Sequence, residues 1–159
     1  MPITLNDLTV NFSHLDRAKI LEDWVWLIGN RRLPILLSAL GDAFIQDLDD
    51  GSVHLLSAGE GAIQRVADSG GIFESLLSDR DFVTENFAPS VIVELRANGC
   101  VLMPGQLYGY KTPPNLGGEY SLGNLEPTDI SVHFSILGQL HRQTQSLPPG
   151  TPISGIEIK

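Results

Sequence analysis

Residues 34–68 read PILLSALGDAFIQDLDDGSVHLLSAGEGAIQRVAD, and their pattern decides the fold. Apolar, β-branched and aromatic residues recur with a period of two over 35–40, 43–46, 53–56 and 63–66, the signature of half-buried strands. Asp49-Asp50-Gly51 supplies the Asp-Gly pair favoured in tight hairpins, and Gly59-Glu60-Gly61 supplies a second reversal. The four segments therefore predict an antiparallel meander. The acid run Asp47, Asp49, Asp50 superficially resembles a calcium loop, yet it lacks the twelve-residue pattern and the closing bidentate Glu. It reads as a hairpin tip.

Helices are expected on both sides of this meander. Over 13–28, Ile20, Leu21, Trp24, Leu27 and Ile28 repeat at helical spacing and Gly29 suits a C-terminal cap. Trp26 falls about 200° from Trp24 on that wheel, so it either packs beneath a neighbouring segment or stands as an exposed aromatic anchor. After Ser69, Ile72, Phe73, Leu76 and Leu77 form a short apolar stripe. Asp79 or Asp81 caps a helix through Phe87, and Pro89 opens another that ends at Gly99. Met103-Pro104-Gly105 turns into a strand over 106–111, and 112–118, with two prolines and two glycines, is a loop. Pro127 or Asp129 starts a last helix carrying Val132, Ile136, Leu137 and Leu140, which runs to about Leu147. Ile156 and Ile158 alternate with charged neighbours as an edge strand.

The chain has 159 residues, 42% hydrophobic and 18% charged, the size and balance of one packed domain over 1–159. Its net charge of −9 disfavours direct binding to nucleic acid or to anionic membranes. The excess is concentrated, with ten of the nineteen acids lying between Asp42 and Glu85 beside only Arg65 and Arg80. If these side chains share a face, they create a negative field suited to a basic partner; otherwise they aid solubility. One cysteine, Cys100, precludes an intrachain disulfide. The start MPITLNDLTV lacks a basic and then apolar leader, and no apolar run approaches the roughly 20 residues that span a bilayer. The expected location is cytoplasmic, with no membrane segment.

Chemistry is mostly missing. His133 and His141 lie two turns apart on one helix face, about 12 Å along the axis, too far to share a metal. Each is expected to have its own hydrogen-bond partner. Cys100 sits in an apolar run that does not activate a thiol, and Ser69-Gly70-Gly71 lacks the lysine of a phosphate loop. No catalytic residue, metal ligand or cofactor is expected.

Several segments carry a resemblance: Leu40-Gly41-Asp42-Ala43-Phe44, Phe87-Ala88-Pro89, Tyr108-Gly109-Tyr110-Lys111, Pro113-Pro114, Leu116-Gly117-Gly118-Glu119-Tyr120, Glu126-Pro127-Thr128-Asp129 and Gly138-Gln139-Leu140-His141. From about residue 15 to 153 the chain resembles the C-terminal domain of type VI secretion DNase-immunity proteins, formerly a domain of unknown function. The resemblance implies a single cytoplasmic bacterial α+β domain of SUKH-like style, a curved, mainly antiparallel sheet flanked by helices. It also implies a non-catalytic protein that neutralises a cognate nuclease toxin. Such relatives often carry a preceding GAD-like domain, whereas about fourteen residues precede the first helix expected here. The residues expected to meet the toxin, through its basic active-site surface, are Trp26, Asp47, Asp49, Asp50, Glu60, Tyr108, Tyr110, Glu119 and Tyr120. The alternative is a small-molecule or nucleotide sensor with a pocket near Tyr108, Tyr110, Glu119 and Tyr120.

Overall fold

A computed structural model describes residues 3–145 and 147. The expected meander is present as β2 (Arg32–Ser38), β3 (Ala43–Asp47), β4 (Val53–Ser57) and β5 (Ala62–Ala67), each antiparallel to the next. Before it stand a short helix α1 (Leu5–Leu8) and a two-residue strand β1 (Thr9–Val10), neither legible by period, and β1 extends the sheet to the order β1-β2-β3-β4-β5. Alternation along β3 sends Ala43 and Ile45 into one core and Phe44 into another. The sheet is therefore covered on both faces. One core is built on Trp24, Leu37, Ile45, Leu56, Leu107 and Phe134. The second contains Phe44, Val53, Phe73, Phe87 and Ile92, with the Phe44 ring 4.9 Å from Phe73 and 5.5 Å from Phe87.

The helix expected over 13–28 is broken. It appears as α2 (Arg17–Ile20), a 3-10 turn Glu22–Trp24 and α3 (Val25–Ile28), with Leu21 (φ −111°, ψ 24°) and Trp24 (φ −107°, ψ 1°) leaving helical geometry. Packing supplies the reason. A straight helix would point the two tryptophans apart, whereas the break turns both toward the C-terminal helix. Trp24 Nε1–H donates to Phe134 O at 2.8 Å and Trp26 Nε1–H to Gly138 O at 3.2 Å, with the rings stacked at 6.1 Å. Trp26 is thus a half-buried packing residue and not an exposed anchor.

Beyond β5 come α4 (Gly70–Leu76), α5 (Arg80–Phe87) and α6 (Pro89–Ala97); Ser69 caps the first, Asp79 caps the second as the sequence predicts, and Pro89 opens the third. A separate two-stranded sheet pairs β6 (Gln106–Tyr110) with β7 (Leu125–Asp129), and α7 (Ile130–Thr144) follows. Pro127 does not start that helix. It sits in β7, a strand paired on one side only, where the absence of an N–H is tolerated, and Asp129 is the cap, accepting from Val132 N at 3.1 Å. Residues 156 and 158 lie outside the described residues. Among those described, no helix is long and apolar enough to cross a membrane.

Candidate functional site

Much of the motif set holds the scaffold together. His133 Nε2–H donates to Gly41 O at 2.8 Å and His141 Nε2–H to Ala58 O at 3.0 Å, so each imidazole of α7 ties down one turn of the meander. Burial depresses both, His133 to about 4, which keeps them neutral at physiological pH. Gly138 allows the 3-10 turn to lie directly on α7, because a Cβ there would stand 2.7 Å from Asp23 O. In the Pro-Pro-Asn-Leu-Gly-Gly loop, Gly117 has φ +93°, and a Cβ on Gly118 would overlap Thr112 O. Tyr108 is 1% exposed and donates its hydroxyl to Cys100 O, so it leaves the expected contact set and belongs to the core.

The acids of the central segment differ in their surroundings. At the β3–β4 hairpin, Asp47 pairs with Arg32 at 3.0 Å, Asp49 with Arg31 at 3.0 Å, and Asp50 lies 3.9 Å from Arg65, which also binds Asp68 at 3.0 Å. Asp47 Oδ1 additionally accepts Asp49 N–H at 2.8 Å, and Asp50 Oδ1 accepts both donors of Ser52. These hydrogen bonds hold Asp47 and Asp50 below the usual carboxylate range. The tip is an arginine-neutralised turn and not a free negative patch. Glu74, Asp79, Asp81 and Glu85 are exposed on α4, α5 and the turn between them.

Asp42, the first acid of this segment, is half-buried. Its Oδ1 accepts Ala58 N–H at 3.1 Å, linking the β2–β3 turn to the end of β4, and desolvation pushes its carboxyl up to about 7, with Glu60 adding to the rise. The sequence signal was available in the Gly41-Asp42 pair directly after an apolar strand, but periodicity reads it as a turn residue alone. Tyr110 stands beside it, its hydroxyl so close to Gly59 that a Cβ there would be 2.6 Å away. Tyr120 meets Tyr110 edge to face at 5.9 Å and is 65% exposed. Burial raises both phenols, and both feel the Asp42 and Glu60 charges. The fold thus brings Glu60, Tyr110 and Tyr120 to Asp42 from four separate segments. Glu119 adds an exposed carboxylate next to Tyr120 in the chain.

No Lys or Arg forms an ion pair with Asp42, Glu60 or Glu119 among the described residues, in contrast to the hairpin tip. An exposed aromatic face rimmed by carboxylates lacking a cation can receive a guanidinium or ammonium group by stacking and ion pairing. It offers no activated nucleophile. Among the described residues, no group of three His, Cys, Asp or Glu side chains is placed to hold a metal. The main described grooves are lined by other segments, at α2 with α7 and around residues 7–17.

The fold is similar to the crystal structure of Atu4351 from Agrobacterium tumefaciens, with a TM-score of 0.51 and 20% identity over 77% of this chain. The chain spans 60% of that protein's length, and the likeness supports the α+β architecture. No curated protein matches the sequence. Residues 70–141, from the start of α4 to near the end of α7, match the family described as T6SS immunity protein Tdi1, C-terminal. That match bears out, over these residues, the resemblance to the C-terminal domain of type VI secretion immunity proteins read from the motifs.

Proposed function

We propose that this protein is a non-catalytic immunity factor that acts in the cytoplasm, where it binds and neutralises a cognate type VI effector, a nuclease with a basic active-site surface. On this reading residues 1–159 act as one immunity-type domain. The observation that carries the contact surface is Tyr120, 65% exposed, beside Tyr110 and Glu60, with no Lys or Arg ion-paired to Glu60 among the described residues. A nuclease must present cationic groups to phosphate, and an aromatic and acidic surface of this kind competes for them. Large aromatics are common among the residues that dominate binding energy.

The test is inhibition of the purified effector's DNase activity by this protein, with affinity measured by calorimetry. Stoichiometric inhibition is expected, and Tyr120→Ser with Glu60→Lys should weaken binding at least tenfold without altering thermal stability. If the effector is bound and inhibited equally by the double variant, the surface assignment is wrong. If the cognate effector is neither bound nor inhibited, the immunity reading itself fails.

A further inference from the structure

A groove lined by none of the Tyr120-surface residues lies between α2 with its following 3-10 turn and the first two turns of α7. Its volume is about 580 Å³. The lining includes four aliphatic side chains, Leu15, Ile20, Val132 and Ile136, and Val132 stays 47% exposed although Ile130, His133 and Phe134 around it are buried. On a helical wheel the Val132–Ile136 row is about 100° from the His133–Leu137–His141 row that faces the sheet. Packing the core therefore leaves this row free.

The rim is acidic. Asp16, Glu22 and Asp23 line the groove with a single base, Lys19. None of the three carboxylates forms an ion pair among the described residues, whereas every hairpin acid at 47, 49 and 50 does. Asp16 accepts Ala18 N–H at 3.0 Å and Asp23 accepts the Ser135 hydroxyl at 2.6 Å, bonds that fix their positions and leave their charge uncompensated. An apolar floor within an uncompensated acidic rim is complementary to a segment that is apolar on one side and cationic on its flanks.

We propose that this groove docks an amphipathic, lysine- or arginine-bearing segment of a protein partner, its aliphatic side chains against Val132 and Ile136 and its cations against Asp16, Glu22 and Asp23. The site is separate from the Tyr120 surface and does not depend on it. A small polar ligand fits less well, because the groove is open to solvent and its floor supplies few polar groups.

The experiment is an NMR titration of the 15N-labelled full chain with a synthetic helical peptide of alternating leucine and lysine blocks, and with its leucine–glutamate counterpart. Shifts from the lysine peptide should concentrate at residues 15–23 and 131–136, weaken as salt is raised, and be absent with the glutamate peptide. Val132→Lys and, separately, Glu22→Lys should each reduce affinity at least fivefold. Both positions are exposed, so folding is preserved and a circular dichroism spectrum checks it. Tyr120→Ser should leave the titration unchanged, which separates this site from the immunity surface. Shifts spread over α4, α5 and the hairpin, equal binding of the glutamate peptide, or indifference to both groove variants would overturn the proposal.

Discussion

Replacing Asp42 by asparagine keeps the acceptor for Ala58 N–H and removes one charge from a desolvated position. The native carboxyl titrates near 7 against an ordinary value of 3.8, so the folded state holds a proton that the unfolded chain has already released. Stability from this group is therefore present below 3.8 and is lost as pH rises through about 7. At about 1.36 kcal/mol per unit, the loss is at most about 4 kcal/mol. His133 works in the opposite direction. Its native value near 4 against 6.5 means that stability present above 6.5 is lost as pH falls through 4. Between pH 4 and 6.5 the two slopes nearly cancel in the wild type. Asp42→Asn removes the carboxylate slope, and the depressed histidines then raise stability from pH 4 to 6.5, His133 by up to about 3 kcal/mol and His141 in the same direction. Urea unfolding followed by the fluorescence of the buried Trp24, from pH 4 to 8, reads both curves. The variant should match the wild type near pH 4 and exceed it by about 2–4 kcal/mol at pH 8. Parallel curves for the two proteins would refute the desolvated-carboxylate account.

Other perturbations have equally definite outcomes. Gly138→Ala forces a methyl to 2.7 Å from Asp23 O and should cost about 1–3 kcal/mol, with a shift in tryptophan emission as the 3-10 turn lifts from α7. Asp47→Asn loses the Arg32 ion pair and weakens a turn acceptor, and should lower the melting temperature measurably. Asp49→Asn, whose pair with Arg31 is largely exposed, should stay within about 0.5 kcal/mol, and calorimetric melting separates the two. Tyr108→Phe strands the Cys100 carbonyl and should cost about 1 kcal/mol in the same assay.

Local rules reach far into this chain. The alternation over residues 34–68, the Asp-Gly turn and the caps Asp79 and Asp129 depend on neighbours within a few positions, so the order of β2 to β5 and most helix starts are legible before folding. The break after Ile20 is not legible, because it is dictated by Phe134 O and Gly138 O, more than 100 residues away, which receive the two indole N–H groups. The same division governs the site. Residue types alone nominated Glu60, Tyr110, Glu119 and Tyr120, but they also nominated Trp26 and Tyr108, which packing takes inward, and a hairpin of acids that distant arginines neutralise. Sequence spacing sets periodicity and capping because those are short-range hydrogen-bond and burial patterns. Whether a carboxylate stays charged, or an aromatic stays exposed, is decided by what the tertiary fold places across from it.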